Sequence, residues 1–271
     1  MKIPSTVPRI AELQAPPSWG TVDFISDLHL QAADAATFAA WRDYMESTPA
    51  DAVFILGDLF EVWVGDDAVD ATAEATGTTE TQGSFEGRCA RLLGQTAGRL
   101  ALFFMHGNRD FLVGPRLMAL CHTTLLADPT VLAFNNQRWL LSHGDALCLG
   151  DVDYLQFRRE VRSPAWQRSF LARPLAERQA IARGLREQSE ARKQSGAPYA
   201  DVDGSAAREQ LEAANAQILI HGHTHRPAVH DLGHGYSRVV LSDWDAAAAV
   251  PRAEVLRLTA TGLRRIPLIP C

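Results

Sequence analysis

Residues 22–29 read V-D-F-I-S-D-L-H, an apolar run of strand length that closes on Asp27 and His29. The construction recurs. AVFIL at 52–56 runs into Gly57-Asp58, and LALFFMH at 100–106 runs into Gly107-Asn108-Arg109-Asp110. WLLSH at 139–143 is followed by Gly144-Asp145, and QILIH at 217–221 by Gly222-His223-Thr224-His225. A sixth run, RVVL at 238–241, has the same character. Short runs rich in Val, Ile, Leu and Phe, without strict polar alternation, predict strands covered on both faces. Five of the six end in Asp, His or Asn, most with a glycine alongside that lets the backbone turn. Ligands of open α/β sheets gather at the carboxyl ends of strands, so groups distant in sequence can converge there. Asp27 with His29, and His221 with His223, are i,i+2 pairs, which point the same way on a strand or its immediate extension.

Between these runs lie helical stretches. Asp34 is placed to cap a helix with Phe38, Trp41 and Met45 on one face, and SAAREQLEAA at 205–214 reads as helix. Alternation of strand and helix implies an α/β layered domain. Residues 68–87 are poor in apolar side chains and predict an exposed, mobile loop. Residues 151–200 break the rhythm: Trp166, Phe170, Leu171, Leu175, Ile181 and Leu185 recur at roughly helical spacing among arginines, with Pro164 and Pro174 between short helices. Ten Arg or Lys against four Glu give residues 158–193 a net charge of +6 and leave the rest of the chain at −12. Basic residues concentrated in one stretch aim at an anion, which favours a cap over the active site above an ordinary packed insert.

The chain has 271 residues, 46% of them hydrophobic and 21% charged, enough for a buried core without disulfide staples. A net charge of −6 argues against a general nucleic-acid binder. No apolar run reaches the ~18 residues of a membrane span, and residues 1–20 carry four prolines and no apolar segment of the signal-peptide kind. Cys89, Cys121, Cys148 and Cys271 show no C-x-x-C spacing, so a reducing cytoplasm is the simple expectation.

The ligand-type groups at these strand ends exceed what one tetrahedral zinc takes, and about seven of them suit two cations that share a bridging carboxylate. The set contains no thiolate, which favours Mn, Fe or catalytic Zn over a structural zinc. His122, His230 and His234 fall outside the pattern and read as structural or surface residues. A serine hydrolase is disfavoured, because no G-x-S-x-G elbow occurs.

The order D-x-H, G-D, G-N-x-D, H-G-D, G-H-x-H over residues 22–226 resembles that of the calcineurin-like metallophosphoesterases. SDLHL at 26–30, GDLFEVWVGDD at 57–67, HGNRDFL at 106–112, HGDALC at 143–148 and HGHTHRPAVH at 221–230 resemble the UDP-2,3-diacylglucosamine pyrophosphatase branch of lipid A biosynthesis. Arg109, where the wider superfamily usually has His, is typical of that branch. The resemblance implies an α/β four-layer αββα sandwich of two mixed sheets with a helical cap. The core would comprise 21–150 and 201–271, the cap 151–200, and an N-terminal extension 1–20. It implies two Mn²⁺ ions: Asp27, His29 and His223 on the first, Asn108, His143 and His221 on the second, and Asp58 bridging both. Asp58, Asn108 and Arg109 would be catalytic. Asn108, Arg109, Asp151, Ser189 and His221 would touch substrate, with Lys193 a further candidate from the cap. The implied reaction is attack of metal-activated water on the α-phosphorus of UDP-2,3-diacylglucosamine, giving UMP and 2,3-diacylglucosamine 1-phosphate (lipid X). Another two-metal phosphodiesterase or phosphatase is the alternative. The implied place is the cytoplasm, peripherally on the inner membrane.

Overall fold

The computed structural model describes residues 10–70, 83–194 and 200–269, without the side chains of 187–194. Its strands are β1 (Ala11–Gln14), β2 (Thr21–Ile25), β3 (Ala52–Leu56), β4 (Ala101–Met105), β5 (Thr124–Leu126) and β6 (Thr130–Phe134), followed by β7 (Gln137–Leu141), β8 (Ile218–His221), β9 (Ala228–Gly233), β10 (Tyr236–Val240), β11 (Glu254–Thr259) and β12 (Gly262–Pro267). They form two six-stranded mixed sheets, in the orders β1-β6-β7-β8-β10-β9 and β12-β11-β2-β3-β4-β5. β2, β3 and β4 are parallel neighbours in one sheet, and β7 and β8 are parallel neighbours in the other. These are the five strands whose ends carry the ligand-type residues.

The apolar runs are continuous because each strand buries both faces. Val22, Phe24, Phe54, Leu56, Trp139, Leu141 and Ile220 meet between the two sheets. Ile25, Val53 and Ile55 point the other way, toward α1 (Ala35–Ser47), α2 (Phe85–Ala97) and α3 (Pro115–Leu120). Leu140 and Leu219 face Ala207, Leu211 and Ala214 on the outer side of the other sheet. That is a helix–sheet–sheet–helix sandwich. Asp34 accepts a hydrogen bond from Thr37 N (3.0 Å) and caps α1, as its position predicts, and Trp41 and Met45 are fully buried.

The basic segment forms α4 (Val152–Val161), α5 (Pro164–Leu171) and α6 (Leu175–Gln194), with Pro164 opening α5 and Pro174 immediately before α6; α7 (Gly204–Ala214) returns the chain to β8. Phe170 and Ala182 bury into the helix-side core, with Trp166, Leu175 and Ile181 packed against it.

Two expectations change at their edges. Residues 1–20 are not all extension: β1 pairs in parallel with β6, and Trp19 packs edge-on against Phe54 and Phe103 at 6.4 and 5.9 Å. The loop expected over 68–87 is ordered at both ends. Ala68 is buried in a 3-10 turn at Asp66–Asp70, and Ser84 caps α2 by accepting from Gly87 N (3.0 Å). A single buried alanine and a capping serine satisfy local needs without any apolar run. Residues 71–82 lie outside the described residues.

Candidate metal centre

Three of the ligand-bearing strands, β2, β3 and β8, end in turns that a side chain ordinarily resists. Asp27, His29, Asp58, His223 and His225 all have left-handed backbone, with φ of 56°, 49°, 53°, 66° and 52°. For residues with a Cβ this costs of order 1–2 kcal/mol each, and such strain persists where surrounding contacts enforce it. Asp27 N donates to Gly57 O (3.1 Å) and His29 N to Asp58 O (3.0 Å), lacing the first two turns together. The Asp110 carboxylate accepts from Leu59 N and Gly107 N, both at 2.8 Å, and ties the second turn to the third. Arg109 N donates to Asp58 Oδ1 (2.8 Å), and His223 N reaches both oxygens of Asp27 at 3.1 and 2.9 Å. Close approach decides two glycines: a Cβ on Gly107 would overlap the Asp58 carboxylate, and one on Gly222 would overlap Asp27 Oδ2 and Ser26 Oγ.

The side chains converge as two groups. Asp27, His29 and His225 bring ligand atoms within 4.8 Å of one another, and so do Asp27, Asp58 and His143. Asp58 spans the groups, with Oδ2 4.0 Å from His29 Nε2 and Oδ1 3.8 Å from His143 Nε2. The Asn108 amide oxygen lies 3.0 Å from His143 Nε2 and 2.8 Å from His223 Nδ1. Asp27 and Asp58 are at most 1% exposed, and among the described residues no Arg or Lys lies within 4.0 Å of either carboxylate. Burial opposes charge on His143, yet Asp58, Asp145 and Asp27 outweigh it and lift its pKa to about 9. Burial, and then the neighbouring His143, press His223 down to about 4. Carboxylates buried without Arg or Lys against them, beside imidazoles and an amide oxygen, make a mixed N/O donor set suited to divalent transition metals.

The structure corrects the expected histidine assignment. His221 ends β8, is fully buried and turns away from the cluster toward Arg238 and the Gly222 carbonyl. His225 stands with Asp27 and His29, where His223 was expected, and His223 stands with Asn108 and His143, where His221 was expected. The i,i+2 rule assumed a continuing strand, but β8 stops at His221 and the left-handed residues restart the pairing at His223 and His225. The parallel between D-x-H and the H-x-H after Gly222 was the available signal: both pairs place their first and third residues at positive φ.

Above the cluster opens a cavity of about 880 Å³. His29, Asp58, Asn108, His223 and His225 lie at its floor, and Arg109 and Asp151 line its walls. Trp166, Phe170, Leu185 and Phe157 face it from the three helices, opposite Trp63, Phe111 and Leu112. The Ser189 and Lys193 side chains lie outside the described residues. Glu61, which sequence reasoning passed over inside GDLFEVWVGDD, lines the same space. It sits 3.2 Å from His29 Nδ1, 3.7 Å from Arg109 Nη1 and 3.1 Å from Arg186 Nε. Buried Asp145 binds the helices to the site, accepting from Tyr154 Oη (2.5 Å) and Arg158 Nε (2.7 Å), while Arg162 Nη2 donates to Gly107 O (2.8 Å).

The calcineurin-like phosphoesterase family matches residues 20–227. A UDP-2,3-diacylglucosamine hydrolase of Chromobacterium violaceum is 44% identical over 256 residues, covering 91% of this chain and 98% of that protein. Proteins of the same name from Ralstonia nicotianae and Aromatoleum aromaticum are 43% and 44% identical. They cover 88% and 82% of this chain, and 89% and 88% of their own lengths. A match of this extent, on a sandwich whose strand ends carry the expected donor set, makes the chain a calcineurin-like phosphoesterase of the UDP-2,3-diacylglucosamine hydrolase family.

Proposed function

We propose that this protein hydrolyses the pyrophosphate bond of UDP-2,3-diacylglucosamine, releasing UMP and 2,3-diacylglucosamine 1-phosphate. The cavity carries the argument, because it joins three surfaces that this substrate needs together. Its floor holds carboxylates and imidazoles, Arg109 and Arg186 face the anion, and Trp166, Phe170 and Leu185 offer an apolar wall. A phosphoprotein or a small cyclic nucleotide has no use for the last. The relatives' name supports the same substrate.

In this reading Asp27, His29 and His225 hold one cation and Asn108, His143 and His223 the other, with one oxygen of Asp58 turned toward each subset. Two Mn²⁺ ions bound there would supply a water of lowered pKa and neutralise charge on the phosphoryl oxygens. That water's oxygen would bond to the α-phosphorus as the bond from that phosphorus to the bridging oxygen breaks, so that UMP takes the water oxygen and the sugar phosphate keeps the bridging one. Arg109 presents its fork to a phosphoryl oxygen, oriented by Glu61 at 3.7 Å and by its own N–H on Asp58. Asp151, Ser189 and Lys193 supply the remaining contacts, from residues 151–200 acting as a cap over a core of 21–150 and 201–271. Because the diacyl substrate resides in a bilayer, the protein works at the cytoplasmic face of the inner membrane. Basic residues there contribute roughly 1 kcal/mol each toward an anionic leaflet. No described helix is long and apolar enough to cross a membrane.

Incubating the purified protein with MnCl₂ and UDP-2,3-diacylglucosamine tests the assignment. UMP and lipid X are the expected products. Release of UDP, or no turnover, overturns it.

A further inference from the structure

His221 needs an account of its own. It is fully buried, and its ring makes two polar contacts: Nδ1 lies 2.9 Å from Gly222 O, and Nε2 lies 3.3 Å from Arg238 Nη1. A carbonyl oxygen only accepts and a guanidinium only donates, so these neighbours select the neutral imidazole protonated at Nδ1. Gly222 O also accepts from Thr224 N (2.8 Å), while Gly222 N donates to His143 O (3.1 Å). Gly222 is thus held on both sides, through its own N–H and its own carbonyl, immediately before the left-handed His223. The same ring abuts the preceding ligand turn: a Cβ on Gly144 would come 2.9 Å from His221 Nδ1. Arg238 is 6% exposed and is itself fixed by Asp201, at 3.1 and 2.8 Å.

We propose that His221 is a positioning residue, a polar wedge between the His143-Gly144 and Gly222-His223 turns that fixes the Gly222 peptide and so aims His223 and His225. Arg238 holds the wedge in its tautomer, and Asp201 holds Arg238 from the point where the chain returns from the helical segment. An apolar side chain would fill the same space, but it would leave Gly222 O with one donor and Arg238 with Asp201 alone. The proposal rests on the reading that His223 and His225 hold cations, and it gives His221 no contact with cation or substrate.

Two substitutions separate wedge from filler. His221→Leu keeps bulk and loses both contacts, whereas His221→Asn keeps an N–H donor near the position of Nδ1. MnCl₂ is titrated calorimetrically into each metal-free chain, with circular dichroism to establish folding, and kcat and KM are measured on UDP-2,3-diacylglucosamine. Loss of a group that orients a metal ligand typically weakens metal affinity about 10–100-fold. His221→Leu is expected to show that loss and a lower kcat at nearly unchanged KM, with His221→Asn recovering most of both. A folded His221→Leu that binds Mn²⁺ like wild type, a change in KM alone, or no recovery in His221→Asn overturns the proposal. If His221→Leu does not fold, Arg238→Met takes its place: a weaker Mn²⁺ affinity supports the wedge, and an unchanged one overturns it. Wild-type protein that takes up no Mn²⁺ overturns the metal reading itself, a result distinct from equal binding by wild type and variant.

Discussion

At the strand ends Asp27, Asp58 and His143 are at most 1% exposed and are held by backbone hydrogen bonds across neighbouring turns. Across the cavity, Phe157 on α4 and Leu185 on α6 are 39% and 41% exposed, although Phe170 and Arg178 of the same helical segment are buried. The first region fixes ligand atoms by over-determining a strained backbone, which suits chemistry that tolerates little displacement. The second presents apolar surface that is only partly used by the fold. Uncovered apolar area inside a cavity awaits a ligand. In the proposed reading, one region answers for rate and the other for recognition of the substrate's lipid part.

The largest effect is expected where both metal subsets depend on one carboxylate. Among the described residues, Asp58 alone has its two oxygens facing His29 and His143 separately, and Asp58→Ala removes it. Two nearby cations then repel without a shared anion. Activity should fall by at least about a thousandfold, equivalent to ~4 kcal/mol of barrier, and elemental analysis should find fewer than two metals per chain. An active, fully loaded Asp58→Ala would remove the strand ends from the comparison.

A smaller effect should separate the two regions cleanly. Leu185→Ser alters a side chain that lines the cavity and is already 41% exposed, so the fold loses little. Fully burying a leucine contributes roughly 1.5–3 kcal/mol, so covering the exposed two-fifths of this one contributes roughly 0.6–1.2 kcal/mol and KM for the diacylated substrate should rise about three- to eightfold. Hydrolysis of bis(p-nitrophenyl) phosphate, which has no acyl chain, should stay near wild type. Equal losses on both substrates would show that Leu185 serves packing alone. Phe170→Ser is a poorer probe, because Phe170 is 7% exposed within the core and its loss would destabilise the fold.

The smallest expected effect concerns how the helices are fastened. Arg178 on α6 donates to Val64 O and to both oxygens of Asp67, joining the helical segment to the 3-10 turn after β3. The Arg178 guanidinium holds the Asp67 carboxyl below its ordinary pKa, against a smaller opposing effect of burial. A carboxylate with a depressed folded pKa stabilises fully above its unfolded value near 4, and the gain is lost as pH falls through the folded value. Wild type should therefore exceed Asp67→Asn in melting temperature at pH 7, with the gap closing toward pH 3. Asp67 is half exposed, so the pair contributes no more than about 1 kcal/mol. A gap that widens on acidification would exclude this fastening.

The six runs named in the sequence are all strands, because burial on both faces writes an uninterrupted apolar signature into a short stretch. Most of the others are less legible. β1, β5, β9 and β12 lie at sheet edges with exposed or half-exposed positions throughout, so no continuous run marks them. The β6–β7 hairpin did leave a mark in Asn135-Asn136, both left-handed, the residue type that two-residue hairpin turns favour.

For the site, the sequence determined which residue types stand at the ends of which runs, since a strand's end and the turn after it are local matters of hydrophobicity and glycine. It also determined that the carboxylates and imidazoles outnumber the needs of a single cation. It could not determine which histidine of H-G-H-T-H faces the cluster. That choice was made by the chain reversal at Gly222, by Asp27 accepting the His223 amide, and by Arg238 drawing His221 to the opposite side. Glu61 entered the site in the same way, through Arg186 arriving from a helix 125 positions later in the chain. Periodicity carries information over a few residues, whereas these contacts join turns brought together only when two sheets close on a common core, and the ligand set was decided there.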